Sequence, residues 1–269
     1  MRALGTTSPE VVTVTIEVNR DRTQIREFRI MPIEPLGLIV CLLISFVAAM
    51  IHGVIGLGFN FICAPVLLLL YPQLVPAPII INSITIVSLV AWVNRKDVEF
   101  RTQGWLVGAC TLGALFAAFA ITRVSEATYT SLFGALLLVA VACSLLGWHP
   151  RLTVRNALVA GGLSGFMGTI TSVGGPPVAL LFQHLPGPAL RGTLSAYFLL
   201  TSPIILIALY AADRLGWDEV KLSVVLLPGM LLGFLCAKSF AAHLSQQAIR
   251  ATVLTICAGG GITLLVRSL

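Results

Sequence analysis

The chain has 269 residues, of which 57% are hydrophobic and only 10% charged, against roughly half and a quarter in soluble domains. One soluble core cannot absorb that much apolar surface, so the composition selects a lipid-embedded bundle and sets the soluble globular classes aside. The net charge of +6 rests on basic residues that mostly flank apolar stretches; no basic stripe carries interleaved aromatics, which excludes nucleic acid as a partner.

Residues 1–34 form the extramembrane start of the chain. No apolar core of signal-peptide length follows the first charges, so this segment does not read as a signal peptide. VVTVTIEV, from Val11 to Val18, alternates β-branched with polar residues; Asn19-Arg20-Asp21 offers a turn, and TQIREFRI, from Thr23 to Ile30, alternates again. That pattern predicts a small cytoplasmic β-hairpin, with a disordered basic tail as the alternative.

Residues 35–269 form the transmembrane domain. Eight apolar stretches approach the roughly twenty residues that cross hydrocarbon as a helix: 36–55, 77–93, 104–121, 128–146, 155–172, 191–210, 219–237 and 247–266. Two apolar pieces, 61–71 and 177–185, are too short to cross alone. They read as re-entrant or broken half-helices, which survive at membrane depth when they line a cavity. If they do not cross and the N-terminus is cytoplasmic, 13 basic residues lie inside and 4 outside; if they cross, the split is 9 to 8. The positive-inside rule thus favours eight crossings with both termini cytoplasmic in a cell membrane.

The domain repeats itself. GVIGLGFNFICAPVLLL at 53–69 returns 112 positions later as GFMGTITSVGGPPVALL at 165–181, with Gly53/Gly165, Gly56/Gly168, Pro65/Pro177 and Val66/Val178 among the identities. Ser83 matches Ser195 at the same offset, and Leu112, Gly113 and Ser125 match Leu232, Gly233 and Ser245 at an offset of 120. Ser125 and Ser245 would each cap the last helix of a half. The expected fold is therefore an all-α polytopic membrane protein of two homologous four-span repeats, about 36–146 and 155–267. An even number of crossings per repeat makes the repeats parallel. Matched Gly/Pro-broken segments in two halves of a membrane protein point to a substrate site between them.

The duplicated element, Gly56-Leu57-Gly58-Phe59-Asn60 to Pro65 and Gly168 to Pro177 with the following Leu190-Arg191-Gly192-Thr193-Leu194-Ser195, resembles the sulfite exporter TauE/SafE family, also called the toluenesulfonate uptake permease family. The resemblance covers about residues 36–267. It implies a secondary transporter of sulfite, sulfoacetate or other organosulfonates, and a substrate class more than a substrate.

The residues fit an anion independently. All eleven acidic residues fall outside the interiors of the eight spans, so no buried carboxylate is expected to hold a cation or relay protons. Half-helices starting near Phe61 and Val178 would aim free N–H groups and positive dipole ends at the motifs. Gly56, Gly58, Gly174 and Gly175 allow close backbone approach. Asn60 and its counterpart Ser172, with Thr169 and Thr171, offer neutral hydrogen bonds. Arg191 begins a full span and forks onto oxyanions; Asn82, Ser83 and Ser195 complete the candidate substrate-binding set. Each has a plainer reading, as helix-packing glycines, backbone-bonded hydroxyls or a snorkelling arginine. His52 and His184 flank the motifs as candidates for proton coupling. The six cysteines show no ligand spacing, so neither a metal nor a cofactor is called for, and they read as small buried hydrophobes. The expected partners are a small anionic substrate and the bilayer, with a homo-oligomer left open.

Two other classes compete. Gly162-Leu163-Ser164-Gly165 matches a GxSG pattern that resembles rhomboid proteases, with Ser164 as nucleophile and His184 or His243 as base. Alternatively, the bundle anchors a non-transporting module whose hairpin recruits a partner.

Overall fold

The computed structural model describes residues 34–56, 58–145, 150–241 and 246–268. The expected hairpin lies outside them, as do Leu57, His149, His243 and Ser245. The described residues build helices throughout: α1 (Pro35–Ile55), α2 (Phe59–Leu70), α3 (Ala77–Val93), α4 (Gln103–Ile121), α5 (Glu126–Leu145), α6 (Val154–Thr171), α7 (Gly175–Phe182), α8 (Gly187–Ala211), α9 (Trp217–Ala241) and α10 (Gln246–Ser268). Among them α1, α4, α5, α8, α9 and α10 are long and apolar enough to cross a membrane. The helices α3 and α6 have 17 and 18 residues. Every expected span is a helix, and the two short pieces are the short helices α2 and α7, each beginning two residues earlier than expected.

Local signals explain the boundaries. Pro35 opens α1, where a missing N–H costs nothing. Thr153 caps α6 by accepting from Asn156 N at 3.3 Å, and Ser125 opens α5 as expected by accepting from Thr128 N at 3.2 Å. Pro203 and Pro228 lie inside α8 and α9.

The bundle is knit by backbone-to-backbone contacts at glycine. A Cβ at Gly165 would meet the Cys110 carbonyl oxygen, one at Gly161 the Leu106 carbonyl, and one at Gly113 the Gly162 carbonyl, so α4 and α6 pack with no room between them. The pair α1 and α9 meets the same way, at Gly229 against Leu42 and Gly233 against Phe46. Small residues at such seams let membrane helices gain dispersion energy where no hydrophobic force drives association.

Helix directions overturn the parallel arrangement expected for the two halves. Arg250 of α10 donates to the Ser144 carbonyl at the end of α5. Further along, Gly261 meets Leu138 and Gly134 faces Leu264 and Leu265, so α5 and α10 are antiparallel. The pair α3 and α8 is opposed too: Asn94, past the end of α3, sits on Gly192 at the start of α8. These are the helices that the offsets of 112 and 120 place in correspondence. The reason is visible at α7. Ser164 faces Tyr197 and Gly168 faces Ile205, so α6 and α8 run the same way and α7 carries the chain back between them. Treating the short helices as non-reversing produced the 13-to-4 split; with them reversing, the 9-to-8 split leaves charge silent about sidedness.

Candidate functional site

The two duplicated turns fold by related means and meet. Helix α1 ends at Gly56, whose φ of 85° is left-handed and whose N–H closes on the His52 carbonyl at 2.6 Å. A Cβ on Gly56 would press into Arg191, reaching its Cδ at 2.7 Å. Gly58, at φ 148°, then starts α2, and His52 Nδ1 accepts from Phe59 N at 3.4 Å, folding the last turn of α1 onto the first of α2. In the second half α6 ends at Ser172, itself left-handed at φ 61°, and Thr171 Oγ1 accepts from Val173 N at 3.0 Å. Gly174 follows, where a Cβ would lie 2.5 Å from the Ser164 carbonyl oxygen. Asn60 Nδ2 donates to the Ser172 carbonyl at 2.7 Å, joining two residues that occupy the same place in their motifs.

Around that bond lies a cavity of about 50 Å³. A water molecule needs about 10–15 Å³ on this measure, so the space has room for a few heavy atoms. Its wall contains His52, Gly58, Asn60, Ser83, Ser172, Gly174 and Gly175. Three wall residues carry buried polar atoms with no partner among the described residues: His52 Nε2, Asn60 Oδ1 and Ser172 Oγ. Unsatisfied buried polar groups are rare in folded proteins and mark places where water or a ligand is bound. Among the described residues, no Asp, Glu, Lys or Arg stands in the wall. The first turns of α2 and α7 point their positive ends toward it. The contribution of α7 is smaller than expected, because Pro176 and Pro177 lack N–H groups.

Other candidates lie outside the cavity wall. Thr169 and Thr171 donate to the Gly165 and Met167 carbonyls one turn back, at 2.8 Å each. Asn82 bridges α3 to α9 by donating to Pro78 O at 3.0 Å and Ser223 O at 2.7 Å. Ser195 is buried away from the cavity, and Arg191 spends its aliphatic stem covering Gly56. His184 is exposed in the connection between α7 and α8. The wall also has residues the sequence reading did not place in a binding site: Ser202 and Thr201 on α8, Ser164 on α6, which it took as a possible nucleophile, and the aromatics Phe61 and Phe198. The Thr201-Ser202-Pro203 run, a polar pair before proline inside an apolar span, is the signal that would have found two of them. Ser164 stands where the first motif has His52, and both face the cavity.

The profile of the family described as Sulfite exporter TauE/SafE matches residues 41–264. The chain belongs to the TauE/SafE family. No curated protein and no solved structure matches it. The TauE/SafE family is one of membrane transporters, which makes this chain a multi-pass transporter rather than an enzyme. Ser164 accordingly belongs to a cavity wall and not to a hydrolytic site. The TauE/SafE match begins at residue 41, past the segment that carries the expected hairpin. Among the described residues no cluster of His, Cys, Asp or Glu could hold a metal ion.

Proposed function

We propose that this protein carries small sulfur oxyanions, sulfite foremost, out of the cell through the cavity at the Asn60–Ser172 contact. The observation that carries the reading is a small polar chamber, built from both motifs and free of carboxylates, in a TauE/SafE family member. A sulfite presents three oxygens to donors from Asn60, Ser172, Ser202 and the glycine amides. The substrate-binding set is Gly58, Asn60, Ser164, Ser172, Gly174, Gly175 and Ser202, with His52 placed to exchange a proton. Larger arenesulfonates are disfavoured by volume.

The two halves are proposed to be inverted repeats of five helices. In support, each pairing has a counterpart: α1 with α9 answers α6 with α4, and α2 with α10 answers α7 with α5. Binding at the junction of inverted halves is a recurring transporter design.

Export needs no coupling ion. A potential of about 100 mV, inside negative, contributes about 2.3 kcal/mol per charge, enough to drive a monoanion outward to about a fifty-fold gradient. In liposomes loaded with sulfite, with potential set by potassium and valinomycin, efflux is expected to rise as the interior becomes more negative. Efflux that ignores potential and follows a proton gradient would overturn the uncoupled scheme. Deleting residues 1–33 is expected to leave flux within about threefold of the parent; loss of flux from a folded truncation would favour the partner-module reading instead.

A further inference from the structure

A second cavity, of about 250 Å³, lies beside the central one between α5, α7 and α10. Two residues, Gly58 and Phe61, belong to both walls. Glycine has no side chain, so among the described residues Phe61 supplies the one side chain common to both walls. The backbone there is pinned: Cys257 Sγ donates to the Phe61 carbonyl at 2.9 Å, and Gly260 leaves only enough room for Pro65. The ring therefore stands on a fixed support, and Pro176 and Ala179 of α7 line the same cavity.

Among the described residues, the second cavity also contains the only Lys or Arg in either wall. Arg250 donates one N–H to the Ser144 carbonyl and is exposed, so the chamber reaches the surface at that point. A guanidinium has five N–H donors, which leaves most of the fork available to an anion. The remaining wall is chiefly aliphatic, with Leu180, Val253 and Leu254 supplying low-dielectric sides. A single charge flanked by such walls is focused along the cavity and raises the local concentration of opposite charge. The chamber lies near the end of α5 and the start of α10, on the face away from the start of α1 and the end of α10.

We propose that this second cavity is the vestibule by which an anion passes to or from the central site, with Arg250 drawing it in and the Phe61 ring dividing the two chambers. The proposal rests on the transport reading above, and its test does not use transport. In full-length protein carrying Cys143→Ala and Cys236→Ala, the four remaining cysteines are buried. Ala179→Cys is added as a reporter in the vestibule. The anionic sulfonatoethyl methanethiosulfonate is expected to label it about tenfold faster, relative to the cationic trimethylammonium reagent, than it labels a free thiol in solution. Arg250→Gln should return that ratio to the free-thiol value, and Arg250→Lys should keep most of it. A reporter unreactive to both reagents, or a ratio unmoved by Arg250→Gln, overturns the vestibule. For the partition, Ser202→Cys in the central cavity should be protected with Phe61 present and labelled in Phe61→Ala. Equal labelling in the two overturns that part. Gel filtration of each variant confirms that a folded protein is being labelled. If the labelling behaves as expected while the parent moves no sulfite, the transport reading fails and the charged vestibule stands.

Discussion

Replacing Asn60 by alanine is expected to lower sulfite flux about 10- to 100-fold while the protein remains folded. Its amide does two things: Nδ2 satisfies the Ser172 carbonyl at 2.7 Å, and Oδ1 is buried in a cavity residue without a partner. Removing the donor leaves a buried carbonyl unpaired, at a cost of about 1–3 kcal/mol, and each 1.4 kcal/mol is a factor of about ten. Asn60→Asp should be worse, since its carboxylate would oppose both the Ser172 carbonyl and the substrate. Ser83→Ala is the informative control. Ser83 also lines the cavity, but its hydroxyl hydrogen is spent on the Ile80 carbonyl at 2.9 Å, so flux should stay within about threefold of the parent. Flux from reconstituted vesicles, read beside the thermal midpoint, separates transport from folding. A parent-like rate in Asn60→Ala would remove the motif contact from the substrate path.

The second large effect concerns the seams. Gly165→Ala and Gly233→Ala are each expected to abolish a detergent-stable fold, because the new methyl would meet the Cys110 or Phe46 carbonyl oxygen head-on. Overpacking usually costs about 1–3 kcal/mol when side chains can shift; here the obstacle is backbone, so the whole helix must move. Gly108→Ala is the contrasting case. Nothing lies within 4 Å of a Cβ at that position, and alanine favours helix by about 0.5–1 kcal/mol over glycine. Its thermal midpoint should match or exceed the parent's in a fluorescence-detected size-exclusion assay. A stable Gly165→Ala would mean that α4 and α6 are not in the close register described.

The location of the helices was legible in the sequence, because apolar run lengths and Gly/Pro breaks report directly on which residues can lie in lipid. Their direction was not. The basic residues near the spans divide 13 to 4 or 9 to 8 depending only on whether α2 and α7 reverse the chain, and no local feature of those short helices reveals it. The meeting of the two motifs was legible where the duplication marked it: Asn60 and Ser172 share a motif position and touch. Hydroxyls were misjudged where local geometry decides. Thr169 and Thr171 sit mid-helix and bond the preceding turn, an outcome that residue type alone does not distinguish from facing a cavity. Arg191 drew notice by its charge, yet its hydrocarbon stem does the packing. Ser202 lies outside the duplicated motif, and only the polar pair it forms with Thr201 before Pro203 marks it in the sequence.

The glycine seams also restrict how this molecule changes shape. Gly233 and Gly165 key one helix into the backbone of its neighbour, and a slip of one residue would bring Phe234 or Phe166 to the same notch. So α1 travels with α9, and α4 with α6, as two solid blocks. The bond between Asn60 and Ser172 ties α2 to the end of α6, and so to the second of those blocks.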